Sequence, residues 1–342
     1  MDTAPRLTRF SHGAGCACKL GPSDLTRVLN LLGPVAKPDD VLVSEDTGDD
    51  AAVYLLPDGR GLVLTLDFFT PLVDDPGDWG RIAAANALSD VYAMGGTPAL
   101  ALNIAGWPVD ELPLELLADV LAGAREIASE AEVSVVGGHT ITTEKEPLFG
   151  MAAIGFVDPA GIVRNSTARP GMNLFLSKPI GTGLVTTAIK RDAADDEQVR
   201  LAITTMTTLN AEASAAMVRD GAGAATDVTG FGLLGHLRRM LEASGCAARV
   251  RAGDVPLLPG VLSLAQRDVV AGGTKRNHAW LQEVVDWSGL TVPEQIVLAD
   301  AQTSGGLLVA SFGEMDRTHF VPIGELVAGD PGRIAMAGRV RE

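Results

Sequence analysis

The chain has 342 residues, 46% of them hydrophobic and 20% charged, with a formal net charge of −16 at neutral pH. That length exceeds what one core usually serves, so two domains are expected, and the acidic balance argues against nucleic acid or an anionic membrane as partner. Three cysteines, no apolar leader and no uncharged apolar run argue against a secreted disulfide scaffold and predict a cytoplasmic protein without a membrane span.

The first chemical signal is His12-Gly13-Ala14-Gly15-Cys16-Ala17-Cys18-Lys19. A lysine beside a thiol favours the thiolate, which is the nucleophile and the soft metal ligand. Gly13 and Gly15 free the backbone, so residues 1–22 read as a reactive, mobile arm. A Cys16–Cys18 disulfide would close too tight a ring, and a structural zinc site lacks a second ligand pair. A tail without chemistry is the remaining alternative.

Ser23 then caps a helix over 23–32, stopped by Gly33-Pro34. Strands are expected over 53–56 and 62–66 around the turn Pro57-Asp58-Gly59. An Ala-rich helix follows over 79–94, a strand over 100–105, a helix over 112–131, a short buried strand over 133–136 and a strand over 148–156. The first domain is expected to end near residue 158, giving an N-terminal domain over 23–157 and a C-terminal domain over 158–342. Beyond that point the pattern predicts a strand over 174–177, helices over 198–220 and 231–243, and a strand over 307–309. Hairpins mixed with helices favour α+β layers.

Acidic residues recur beside glycines and strand ends. Asp49 and Asp50 lie in the turn Thr47-Gly48-Asp49-Asp50, Asp67 closes the apolar run 62–66, and Asp227 precedes a glycine turn. Asn86 and Asp90 are four apart, hence on one helix face. Mg²⁺ prefers such hard oxygen ligands, and bound cations let an acidic site hold a triphosphate. Each aspartate alone also suits a turn or cap, and Asp49 is the weakest of them. No Walker-type loop is present, and Gly181-Thr182-Gly183 lacks the third glycine of a dinucleotide fingerprint. Gly137-Gly138-His139-Thr140 follows a strand and suits either a phosphate cradle or a plain glycine turn; His236 reads as helix packing.

Together these motifs resemble the selenophosphate synthetase family, through the Cys16-Ala17-Cys18-Lys19 arm, Asp49-Asp50-Ala51-Ala52-Val53, Thr65-Leu66-Asp67-Phe68-Phe69 and Asn86-Ala87-Leu88-Ser89-Asp90. The likeness continues in Gly137-Gly138-His139-Thr140, Thr226-Asp227-Val228-Thr229-Gly230-Phe231-Gly232 and Gln302-Thr303-Ser304-Gly305-Gly306. The resemblance implies ATP-dependent synthesis of selenophosphate from selenide and water, releasing AMP and orthophosphate. It implies a two-domain, aminoimidazole-ribonucleotide-synthetase-like α+β fold that dimerises through its N-terminal sheet. By the same resemblance Asp50, Asp67, Asp90 and Asp227 would bind several Mg²⁺ ions. Lys19, Thr47, Gly48, Asp49, Asp67 and Asp90 would meet the nucleotide, as would Gly138, His139 and Thr140, the last three in reach across a dimer. Cys16 and Lys19 would be catalytic. The segment 311–325 is shorter than the helical insertion usual in the family. Another ATP-using member of the superfamily would explain the aspartates but not the arm. A non-catalytic thiol carrier of selenium or a soft metal would explain the arm but leave the aspartates idle.

Overall fold

A computed structural model of the chain describes residues 5–11, 27–28, 31, 37–44, 48–287 and 289–341. Cys16, Cys18, Lys19 and Thr47 lie outside the described residues, as does most of the helix expected over 23–32. The first half builds β1 (Val41–Val43), β2 (Ala52–Leu55), β3 (Gly61–Phe69), α1 (Pro76–Ala93), β4 (Thr97–Trp107), α2 (Leu114–Glu130), β5 (Ser134–Thr142) and β6 (Leu148–Val157). Its six strands form one sheet in the order β1-β2-β3-β6-β4-β5, antiparallel except for the β4/β5 pair. The hairpin around Pro57-Asp58-Gly59 forms as expected, with Leu55 facing Gly61 across it.

Alternation along β3 decides what each face does. Val63 and Phe69 are buried against α1, and Thr65 and Asp67 share that face. Leu64, Leu66 and Phe68 point the other way and are exposed. Asp67 therefore sits inside a strand that runs on to Phe69, not at its end, because Phe68 and Phe69 continue the pairing with β6.

Helix α1 is buried almost all round, since it packs against β3 and β6 on one side, α2 on another, and elements of the second half on a third. Small residues permit this crowding. A Cβ on Gly80 would lie 1.9 Å from the Val120 carbonyl oxygen, and one on Gly123 would lie 2.0 Å from that of Gly77.

The second half contains β7 (Asn173–Leu176), α3 (Thr182–Lys190), α4 (Asp196–Thr207), α5 (Ala211–Arg219), β8 (Ala224–Asp227), α6 (Gly232–Ser244) and β9 (Ala247–Arg251). It continues with α7 (Val261–Gln266), α8 (Gly272–Leu281), β10 (Val285–Asp286), α9 (Val292–Leu298), β11 (Leu307–Ser311), β12 (Val321–Val327) and β13 (Ile334–Ala337). Its seven-stranded sheet runs β10-β13-β9-β12-β7-β11-β8. Mixed sheets with helices on them make the fold α+β, as the sequence led us to expect.

Three expectations need correction. Residues 5–11 of the arm are docked rather than loose: Leu7 is fully buried, and Asp74 accepts from the Thr8 amide at 3.0 Å, the Thr8 hydroxyl at 2.6 Å and Arg6 Nε at 2.7 Å. The strand expected to be short and buried over 133–136 runs to Thr142 and is exposed along most of its length, because it is the edge strand of its sheet. The single helix expected over 198–220 breaks at Thr208-Leu209-Asn210. Buried Lys178 donates to the Thr208 carbonyl at 2.6 Å, an ammonium capping a helix C-terminus, and Asn210 turns into the interior.

Candidate functional site

The aspartates converge where the two halves meet. A cavity of about 180 Å³ is lined by Asp49, Asp50, Asp67, Asp90 and Asp227, with Thr229, Gly230, His236 and Arg239 closing it from the second half. Its size leaves room for several waters or ions.

Each carboxylate reaches the cavity by a different route. The Gly48 turn, at φ +64°, precedes Asp50, which lies just before β2. Asp67 comes from the α1-facing side of β3, Asp90 from the last turn of α1, and Asp227 from the end of β8. The chain also orients nearly every one of them with a donor. Thr226 Oγ1 donates to Asp50 at 2.7 Å, Asn86 Nδ2 to Asp67 at 2.7 Å, Ser89 Oγ to Asp227 at 2.7 Å, and Thr65 Oγ1 to Asp90. Asn86 and Asp90 share a face of α1, as their spacing requires, but Asn86 serves as a holder. Its carbonyl accepts the Ser304 amide at 2.9 Å, tying the 302–306 loop to the cavity wall.

Asp49 does a structural job: its carboxylate accepts the Asn165 amide at 2.7 Å, while Asn165 Nδ2 donates to the Gly48 carbonyl at 2.7 Å. These bonds pin the 48–50 turn to the second half.

Burial pushes the Asp50 carboxyl well above the ordinary range, and the neighbouring Asp227 pushes it further. Two carboxylates that press on each other in this way suit a cation between them. His236 stands with them: a ring nitrogen and one oxygen from each of Asp50 and Asp227 fall within 4.8 Å of one another. Sequence reasoning placed His236 in the packing, and half of that holds. It is buried and its ring lies 5.6 Å from that of Phe231. Its Nε2, however, borders the cavity and accepts the Thr229 amide at 3.2 Å, so the nitrogen lone pair is engaged. The donors that Asp50 and Asp227 bring are oxygens, which suit a hard cation.

The structure brings Gly48, Asp49, Asp50, Asp67, Asp90 and Asp227 together. It does not bring Gly138, His139 and Thr140 to the cavity; they lie on the exposed edge strand β5. Cys16, Lys19 and Thr47 lie outside the described residues. Among the described residues the one cysteine is Cys246, fully buried, with its thiol pushed up by burial, which leaves it inert. Sequence reasoning missed two groups at the heart of the site. Arg239, one turn beyond His236 on α6, lines the cavity. Asn210 donates at 2.9 Å both to Ser89 Oγ and to the Gly305 carbonyl, holding the serine that holds Asp227. The Gly-His spacing before Arg239 was readable; the helix break that delivers Asn210 was not.

The AIR synthase related protein N-terminal domain matches residues 48–157, and the corresponding C-terminal domain matches residues 169–268. The chain is 48% identical over 308 residues to the selenide, water dikinase of Burkholderia pseudomallei, covering 90% of this chain and 87% of that one. It is 47% identical over 347 residues to that of Bordetella bronchiseptica, covering 97% and 98%. Among solved structures, the thiamine monophosphate kinase from Aquifex aeolicus superposes with a TM-score of 0.65 at 18% identity, covering 94% of this chain and 98% of that one. At that identity the likeness is one of fold.

Proposed function

The chain belongs to the selenide, water dikinases of the AIR synthase related family, and on that premise we propose the following division of labour for its site. The protein makes selenophosphate from selenide and water, driven by ATP, with AMP and orthophosphate as the other products. Four carboxylates from both halves, each held by its own donor around one small cavity, are the observation that best supports phosphoryl transfer there.

Asp50, Asp67, Asp90 and Asp227 would hold Mg²⁺. The fit is good because carboxylate oxygens are hard donors, and because the pressure of Asp227 on Asp50 is relieved by a divalent cation. Bound there, Mg²⁺ would neutralise phosphoryl charge and orient the phosphates. Gly48, with Thr47, would meet the nucleotide at the pinned turn, whereas Asp67 and Asp90 would act through the cations. Asp49 would serve mainly to hold that turn in place. Lys19 would steady developing phosphate charge and Cys16 would receive or deliver selenide, a soft thiolate suiting a soft donor. The inertness of Cys246 supports giving that task to the arm.

A homodimer completes the reading. Leu64, Ile154 and Leu100 form one row across β3, β6 and β4, and Leu66, Ala152 and Leu102 form the next. Leu64, Leu66, Phe68, Leu100 and Leu102 are all exposed in the single chain. A contiguous apolar sheet face of this kind fits a second copy of itself. Gly138, His139 and Thr140, remote from their own cavity, would then serve the partner's nucleotide. Among the described residues no helix is long and apolar enough to cross a membrane, and we place the enzyme in the cytoplasm.

The direct test is anaerobic incubation with ATP, Mg²⁺ and selenide, followed by phosphorus NMR. Selenophosphate and AMP are expected in equal amounts. ADP formed without selenide would point instead to a kinase of the same superfamily, and no nucleotide turnover to a thiol carrier.

A second expectation concerns the groups behind the ligands. Ser89→Ala removes the hydroxyl that orients Asp227 and leaves Asn210 with one partner. Loss of such a supporting bond costs ~10–100-fold in metal affinity. The Mg²⁺ concentration for half-maximal turnover should rise by about tenfold, with kcat at saturating Mg²⁺ little changed.

A further inference from the structure

Arg239 is the cation among the described residues lining the acidic cavity, and it is the one charged group there without a polar partner. Its guanidinium carbon lies 4.5 Å from the centroid of the Phe231 ring. Its Nη1 borders the pinned turn, 3.7 Å from where a Cβ on Gly48 would sit. Among the described residues it makes no hydrogen bond and no ion pair. The neighbouring Arg238 is fully engaged: Nε pairs with Glu242 at 2.7 Å and Nη1 donates to the Trp280 carbonyl at 3.1 Å.

A half-buried guanidinium with its face covered and its N–H fork open is poised for an anion. Burial lowers its pKa from the usual value, but Glu242 and Asp50 counter that and the group remains charged. The nearby carboxylates do not take it. Asp50 is held by Thr226, and Asp49 is held by Asn165. Arg239 also stands on α6, whose first residue follows the cavity-lining Gly230 and Phe231, so the positive end of that helix faces the same space.

We propose that Arg239 contacts a phosphoryl oxygen in this cavity directly, taking with its planar fork an oxygen that the metal ions leave uncovered. This rests on the reading of the cavity as the phosphate end of the ATP site. Carboxylates can hold phosphate only through cations, whereas a guanidinium binds it bidentately without one. The phosphoryl group can belong to the nucleotide or to the orthophosphate product, and the two sources are separable.

The test titrates Mg²⁺ with a non-hydrolysable ATP analogue, and separately inorganic phosphate with Mg²⁺, into the full chain and into Arg239→Ala, Arg239→Gln and Arg239→Lys. A charge-assisted bond of this kind corresponds to about a tenfold or greater change in affinity. Arg239→Ala and Arg239→Gln should weaken analogue binding by that factor, with Arg239→Lys recovering part of it and KM for ATP rising more than kcat falls. Weakened phosphate binding alone would support the contact and assign it to the product. Unchanged affinity for both probes in all folded variants would overturn the proposal. If Arg239→Ala fails to fold, the Gln and Lys variants decide, since both keep an extended side chain beside Phe231. If the unaltered chain binds no analogue at all, the ATP reading fails and not the role of Arg239 within it.

Discussion

Asp227→Asn is expected to lower Mg²⁺-dependent selenophosphate formation by on the order of 10³-fold without unfolding the protein. A metal ion's stabilisation of transferring phosphoryl charge is worth several kcal/mol, and each ~1.4 kcal/mol is a factor of ten. Asp227 is buried at the end of β8, receives Ser89, and faces Asp50. Its removal should also change the pH dependence of stability in a defined direction. The Asp50 carboxyl is raised in the folded state by burial first and Asp227 second. A raised carboxyl brings no penalty below its unfolded value, and destabilises progressively as pH climbs from there through the folded value. Metal-free protein should therefore lose stability as pH rises from about 4, and Mg²⁺ should restore it. In Asp227→Asn that loss should be shallower, because the Asp227 charge is gone and only burial and the smaller push of Asp49 still raise Asp50. Thermal melts across pH, with and without Mg²⁺, read both effects. Wild-type turnover at wild-type Mg²⁺ would remove Asp227 from the metal set.

How far the site was legible in the sequence follows from which forces act locally. The β2/β3 hairpin was readable because its turn chemistry sits in three adjacent residues. Helix α1 was readable because alanine and leucine favour helix at every level. The aspartates stood out because acids beside glycines at element ends are poor packing residues. What stayed hidden depends on partners distant in sequence. The break at Thr208-Leu209-Asn210 contains neither glycine nor proline; it is stabilised by Lys178, thirty positions earlier, and by contacts to Ser89 and Gly305. Lys178 is pushed down to about 7 by burial, against the pull of Asp227, which no local pattern reports. Asp67 looked like a strand end because the apolar run stops there, but Phe68 and Phe69 alternate outward and inward and carry the strand onward. Strand β5 looked buried because valines begin it, yet its edge position leaves Val136 59% exposed.

The dimer proposed through the exposed face of β3 leads to the second large expectation: Leu66→Asp with Phe68→Asp should leave the enzyme as single chains. In an isolated chain both side chains already face solvent, at 54% and 47% exposure, so aspartate there changes stability within about 0.5 kcal/mol. In a two-fold dimer packed through this face each substitution occurs twice, placing four carboxylates in an apolar interface. Breaking even with one buried, unpaired charge is costly by several kcal/mol, so the paired state should be lost at ordinary working concentrations. Sedimentation would read the mass directly. Catalysis then separates two arrangements of the same fold. If Gly138, His139 and Thr140 serve the partner's nucleotide, the monomer should bind ATP weakly although none of its own aspartates is substituted. If each cavity is complete within one chain, turnover per chain should survive dissociation. Retention of the two-chain mass would move the interface off this sheet, and β5 would then need another reason for presenting its glycines and His139 to solvent.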